Sequence, residues 1–422
     1  MATWNLNDPR RMMGNNVDYE ERINWDRLRK ERLSKLQEAM KKHDFGALLL
    51  YYPGNIRYAT STRFLTPFTN LEFQRCALVP VEGQPILYEI IGVETEVREL
   101  NSPWIADHIR PHITWSYTGK AEKILVGRWA DSITQGMKDL GVGGTRLGVD
   151  RVEPYMIEAL TEKKLRWFDA RDCLYEARSQ KTRDEIECYK IVCSIHDACL
   201  FRANKAIEPG IRESDLAAII YHTAYSLGAE YFLSTVVASG GHTNPYLREH
   251  TDKIIRAGDL VTIDFNMAAT GGYISDFVRT FLCGQKATQQ QKDLYEECYQ
   301  SLYGAITEVK AGASTDQIAK HFPTYVDDKI KTWGMLQFGH GLGIVFYEPP
   351  TISRGISFEY PTVLKENMVL AFETYAGRPF GNEGVRLEEN ILVTKDGFEF
   401  LSLHPLEPKM TDKVQPKTAK GL

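Results

Sequence analysis

The chain has 422 residues, a length that suits two or three domains. With 43% apolar and 25% charged residues and a net charge of −5, it has the make-up of a packed globular protein and no basic block to hold nucleic acid. No apolar run approaches the ~20 residues that span a bilayer, the start MATWNLNDPRRMM lacks the apolar core of a signal peptide, and the seven cysteines form no CxxC pair, so a cytoplasmic protein with reduced thiols and no membrane contact is expected.

Residues 25–43 read as an amphipathic helix, because Trp25, Leu28, Leu33, Leu36 and Met40 fall near helical spacing with Lys and Arg between them. The apolar run 47–52 reads as a buried strand stopped by Pro53-Gly54. Strands 76–81 and 86–89 follow, joined at Glu82-Gly83. Residues 1–178 are therefore expected to form an α/β domain. A new segment opens at Thr182, which has capping-box spacing with Glu185 ahead of the periodic Ile186, Tyr189, Val192 and Ile195. Pro209-Gly210 closes that helix, and 179–422 is taken as the second domain.

The second domain carries a weak internal repeat. AIEPGIRESDLAAI at 206–219 is similar to EVKAGASTDQIAKH at 308–321, and each copy is followed by a Gly-rich stretch and then a β-rich stretch bearing acids. A long period seen twice suggests duplication within one domain. It would set Asp264 and Glu373 at corresponding positions across a pseudo-two-fold axis.

VTIDFN reads as a strand with Thr262, Asp264 and Asn266 on one face. Gly271-Gly272 turns the chain, and YISDFVRTF returns with Asp276, so a hairpin can gather Asp264, Asn266 and Asp276. VLAFET and VRLEENILVT place Glu373 and Glu388 in further apolar runs, and His340 sits in GHGLG. A carboxylate inside an apolar strand is costly unless paired or bound to metal. Four acids with one imidazole suit Mn, Fe, Co or Zn, often as a bridged pair. The competing reading is a set of buried salt bridges to Arg279 and Arg386.

The order Asp, Asp, His, Glu, Glu, carried by GDLVTIDFN, GGYISDFVRT, FGHGLG, VLAFET and GVRLEENILVT, resembles the methionine aminopeptidase, prolidase, Xaa-Pro aminopeptidase and creatinase family. That resemblance implies an α+β protein: a pita-bread C-terminal domain with a pseudo-two-fold repeat, preceded by a creatinase-like α/β N-terminal domain. It implies Asp264, Asp276, His340, Glu373 and Glu388 as ligands of two divalent transition-metal ions (Fe, Mn, Zn or Co), a small-molecule substrate and a homodimer. Two departures stand out. Asp264 and Asp276 are one position further apart than in the peptidases, and the two extra histidines of the peptidases fall where this chain has Tyr246 and the run Phe346-Tyr347-Glu348.

Within the superfamily the pattern is most similar to the dimethylsulfoniopropionate lyases, through the Asp spacing, the TNP element and PGNIRYAT at 53–60. Those lyases carry a third Asp where this chain has Asn266. The lyase resemblance implies β-elimination of a sulfide or amine from a metal-bound carboxylate substrate. Glu348 or a deprotonated Tyr347 would be the base, with Tyr246 as a further catalytic candidate. Phe346, Tyr347, Tyr246, Phe64 and Phe68 would cage a cationic head. The alternatives are an Xaa-Pro hydrolase using a metal-activated water with Glu373 as proton shuttle, which needs His242 or His250 at the site, and a metal-free binding module.

Overall fold

The structure, a computed structural model, describes residues 23–63, 73–90, 92, 96, 98–99, 101–245, 249–284, 286–323, 338–378 and 381–415. Tyr246, Phe64 and Phe68 lie outside the described residues. The chain divides into two compact units, 1–178 and 179–422.

The first unit is built on a six-stranded sheet. Helix α1 (Trp25–Lys42) starts at Asn24, whose side chain accepts the Arg27 N–H at 3.0 Å, and it buries Leu28, Leu36 and Met40. Strand β1 (Ala47–Leu50) is buried throughout. It ends two residues earlier than the apolar run does, because Pro53 does not merely stop a strand. It opens helix α2 (Pro53–Thr60), where a missing N–H costs nothing. The Asp150 carboxylate collects the loose donors at that corner, the Tyr51 and Tyr52 N–H groups and the Asn55 amide, at 2.7–3.0 Å. Strands β2 (Cys76–Pro80) and β3 (Ile86–Glu89) pair antiparallel. With β4 (Ile109–Pro111), β5 (Leu147–Val149) and β6 (Trp167–Asp169) the sheet order is β4-β3-β2-β1-β5-β6. Helices α3 (Glu122–Asp139), α4 (Pro154–Glu162) and α5 (Arg171–Ser179) complete this part of the chain.

The second unit opens with α6 (Arg183–Ala206). Its capping box is formed: the Thr182 hydroxyl accepts the Glu185 N–H and the Glu185 carboxylate accepts the Thr182 N–H. Helix α7 (Glu213–Ser226) leads into the meander β7 (Tyr231–Ser239), β8 (Leu260–Ala268) and β9 (Ile274–Leu282). Helices α8 (Gln289–Thr307) and α9 (Thr315–Ala319) follow. The second sheet has the order β11-β10-β12-β13-β14, from β10 (Gly339–Gly341), β11 (Glu348–Ile352), β12 (Val369–Gly377), β13 (Gly384–Val393) and β14 (Phe398–Phe400).

The repeat is visible in the backbone. Both long helices, α6 and α8, begin with capping boxes. The residue before each following helix forms an isolated antiparallel bridge, Arg212 with Ile254 and Ser314 with Val363. Strands β8 and β12 each have nine residues. Asp264 and Glu373 are the fifth residue of each. Among the described residues no helix is long and apolar enough to cross a membrane. All seven cysteines are buried and free.

Candidate metal centre

The five acid and imidazole side chains all arise from buried strands. In the hairpin β8–β9, Asn266 stands directly opposite Asp276 and Asp264 opposite Val278. In β12–β13, Glu373 stands directly opposite Glu388. His340 is in β10, beside Ala371 of β12. Asp276, His340 and Glu388 form a cluster in which one donor atom from each lies within 4.8 Å of the others.

The acids divide into two groups by their partners. Arg386 donates one guanidinium nitrogen to Asp264 and another to Glu373. These two therefore carry the arginine pairing weighed as the competing reading. The other three do not. Arg279 turns away, giving its N–H groups to Glu389 at 3.0 Å and to the carbonyls of Val278, Glu388 and His404. Both Glu388 oxygens and His340 Nε2 are buried with no hydrogen-bond partner among the described residues.

The His340 ring explains why this is chemically incomplete. Its Nδ1 is 3.0 Å from the Gly341 carbonyl. A carbonyl can only accept, so Nδ1 carries the proton and, in the neutral ring, Nε2 is a lone pair. That lone pair faces Asp276 Oδ2 at 3.3 Å. Two acceptors at that distance require a positive centre between them: a proton or a metal ion. A His whose Nδ1–H is tied to a backbone carbonyl is also the arrangement that orients Nε2 as a ligand.

The protonation equilibria report the same excess of negative charge. Burial pushes the Asp264 carboxyl up to about 7; Arg386 opposes the rise, and Asp276 and Glu373 add to it. Burial, then the charges of Asp276 and Glu373, raise Glu388 well above the usual carboxylate range. Burial likewise raises Asp276, against the pull of His340. For His340 burial favours the neutral ring, but Asp276 and Glu373 outweigh it, and the imidazole is raised above 6.5. Orphaned oxygens, an oriented imidazole lone pair and carboxylates that resist ionisation together fit a divalent cation.

The remaining expected residues fall in varied places. Phe346 and Tyr347 pack on the centre: the Tyr347 ring meets His340 edge-on at 4.6 Å, and Phe346 lies 5.8 Å from His340 and 4.1 Å from Tyr347. A deprotonated Tyr347 is expected only with a dication beside it. Burial and the nearby Asp276, Glu373 and Glu388 charges raise its phenol, so only added positive charge at the centre would release the proton. The expectation that Glu348 serves as base is also corrected. Its carboxylate is buried in an ion pair with Lys181 at 2.9 Å, closed over by Gly343, where a Cβ would collide with it. His242 and His250 have partners outside the five-residue set. His242 Nδ1 is 3.1 Å from Glu213, which also receives Ser239 and Thr251, and His250 Nδ1 is 3.2 Å from the Thr235 carbonyl.

Three supporting residues were not singled out from the sequence. Asn390 accepts the Asp276 N–H at 3.0 Å and donates to the Asp276 carbonyl. It lies two positions beyond Glu388, so strand alternation could have found it. Ser234 donates to Asn266, and Lys181 neutralises Glu348. Nothing local marks either one.

The pattern of the creatinase/prolidase N-terminal domain matches residues 32–180, and that of metallopeptidase family M24 matches 187–395. An Xaa-Pro dipeptidase of Pyrococcus horikoshii is 31% identical over 265 residues, 61% of this chain and 72% of the relative. The chain belongs to metallopeptidase family M24. Dimethylsulfoniopropionate lyase DddP of Roseovarius nubinhibens is 24% identical over 408 residues, 91% of this M24 chain and 87% of the lyase. A solved Xaa-Pro dipeptidase from Bacillus anthracis superposes with a TM-score of 0.72 at 22% identity, covering 90% of this chain and 98% of that one. The fold is thus the pita-bread domain behind a creatinase-type N-terminal domain, and the protein is a metal-dependent M24 enzyme.

Proposed function

We propose that this M24 enzyme is a lyase. It eliminates a sulfide or an amine from the β-carbon of a small carboxylate substrate bearing a cationic head. The observation that carries the reading is the aromatic face on the metal centre, with Tyr347 and Phe346 packed against His340. A tyrosine stands where the peptidase resemblance calls for a histidine, and paired rings suit a sulfonium or quaternary ammonium group. The lyase relatives support it because their similarity runs over 91% of this chain.

Asp264, Asp276, His340, Glu373 and Glu388 would hold two divalent ions. When bound, the ions supply Lewis acidity that polarises the substrate carboxylate. Arg386 spans Asp264 and Glu373 and keeps their carboxylates oriented. Asn390 fixes the backbone on which Asp276 stands. The substrate's positive head offsets the carboxylate charges that hold the Tyr347 proton, and the phenol gives that proton to solvent. The Tyr347 oxygen then takes the α-proton. The C–H electron pair becomes the double bond, and the leaving group departs with the β-carbon bond pair. Buried and paired with Lys181, Glu348 takes no part in this transfer.

The second reading, an Xaa-Pro dipeptidase, draws on relatives such as that of Pyrococcus furiosus, 28% identical over 379 residues. Against it stand the bonds of His242 and His250, whose Nδ1 atoms are paired with Glu213 and with the Thr235 carbonyl and not with any of the five ligands. Metal-replete enzyme incubated in parallel with a sulfonium or betaine carboxylate and with an Xaa-Pro dipeptide tests the choice. The proposal expects sulfide or amine release from the first. Proline release from the second, with no elimination, would overturn it.

A further inference from the structure

Asn266 is the polar residue of the centre to which neither reading gives a task. It is 5% exposed and sits directly across the hairpin from Asp276. Its amide N–H donates to Asp276 Oδ1, and its own carbonyl oxygen accepts from Ser234 Oγ. Ser234 is its register partner on β7, just past an irregularity between Phe232 and Ser234. The three side chains therefore form one directed line across three strands: Ser234 to Asn266 to Asp276.

We infer that Asn266 is a positioning residue of the metal centre: tethered by Ser234, it holds one oxygen of Asp276 and so turns the other toward His340 and Glu388. A carboxylate on a strand can swing about its last torsion, and its two oxygens are chemically equivalent until something distinguishes them. Here Oδ1 carries the Asn266 hydrogen bond, while Oδ2 is the atom 3.3 Å from His340 Nε2. The amide orientation follows from its two neighbours. Toward Asp276 only a donor is useful, and toward the Ser234 hydroxyl an acceptor is satisfied. The serine thus fixes the flip of the amide, and the amide fixes the carboxylate. Asparagine does this without adding charge to a centre that already strains to hold its carboxylates ionised. An ionised carboxylate at 266 could not donate to Asp276 and would face it as a like charge.

The inference rests on the metal-centre reading, and the experiment separates the two. Mn²⁺ and Co²⁺ affinities are measured by competition with a chelator dye for wild type, Asn266→Gly, Asn266→Asp and Ser234→Ala. Co²⁺ visible spectra and far-UV circular dichroism are recorded on each. Losing the partner that orients a ligand weakens metal binding by roughly 10–100-fold. Asn266→Gly is expected to show that loss and a changed Co²⁺ spectrum, and Ser234→Ala a smaller loss in the same direction. Asn266→Asp is nearly isosteric, so a packing role predicts the wild-type spectrum. The positioning role predicts an altered spectrum together with a lower melting temperature in chelator that added metal restores. Wild-type affinity and spectrum in a folded Asn266→Asp and in Ser234→Ala would overturn the inference while leaving the centre standing. Failure of the wild type to bind either ion would overturn both.

Discussion

A neutral imidazole nitrogen and a carboxylate oxygen 3.3 Å apart in a buried pocket cannot coexist without a positive charge between them, and a pH dependence follows. Without metal, that charge must come from protons. Asp264, ordinarily near 3.8, is raised to about 7, and His340 is raised above 6.5. Both groups bind protons more tightly in the folded chain than in the unfolded one. Their stabilising contribution is therefore present at low pH and lost as pH climbs, from about 4 through 7 for Asp264 and through the raised value for His340. Chelator-treated protein is expected to melt at a lower temperature at pH 8 than at pH 6. Saturating metal should flatten or invert that trend, because ligand deprotonation is then coupled to binding. A melting temperature that rises with pH in chelator would contradict it. At the same scale, Tyr347→Phe should cut turnover severalfold or more while leaving metal content unchanged, read by steady-state kinetics and metal analysis. These residues differ in how far the sequence exposes them. Asp264 and Glu373 announce themselves as acids in apolar runs. Arg386 stands out in the sequence only alongside Arg279, and which of the two pairs with Asp264 is decided by a contact between strands more than a hundred positions apart.

The strands and helices explain how the acids meet. The Gly271-Gly272 turn sets the β8–β9 register, and period-two alternation then puts Thr262, Asp264 and Asn266 on one face, so this much is readable from the chain alone. The capping box at Thr182 and the apolar periodicity after it are local too, and the helix begins where those signals lie. Pro53 is less legible. A proline after an apolar run marks a strand end and a helix start equally well, and only the Asp150 carboxylate, nearly a hundred residues on, decides between them. The Lys181–Glu348 pair is wholly non-local. It fastens the segment before α6 to β11, both side chains being 2% exposed. Lys181→Met should remove the Lys181 charge from the buried Glu348 carboxylate and cost about 3–5 kcal/mol of unfolding free energy. Adding Glu348→Gln should recover part of that loss, as measured by urea denaturation. Equal stability of Lys181→Met and wild type would show that the pair does not fasten these elements.

For the molecule as a whole, the duplicated half-domain is the device that makes the centre. Each half supplies a nine-residue strand with an acid at its middle, and the clustered triad takes Asp276 from the first half and His340 and Glu388 from the second. Sequence similarity between 206–219 and 308–321 reveals the duplication. How the halves face one another is a matter of sheet packing that no local pattern encodes. Because the proposed ligands come from β8, β9, β10, β12 and β13, metal binding should stabilise the second unit against unfolding. At free metal about 100 times the dissociation constant the gain is about 2.7 kcal/mol, readable as a rise in melting temperature that chelator reverses. The most direct test is metal content by plasma mass spectrometry, paired with activity, in wild type, Asp276→Ala and His340→Ala of unchanged circular dichroism. Divalent metal in the wild type, with metal and activity lost together in both variants, is the expected result. A metal-free Asp276→Ala protein with full activity would contradict the account.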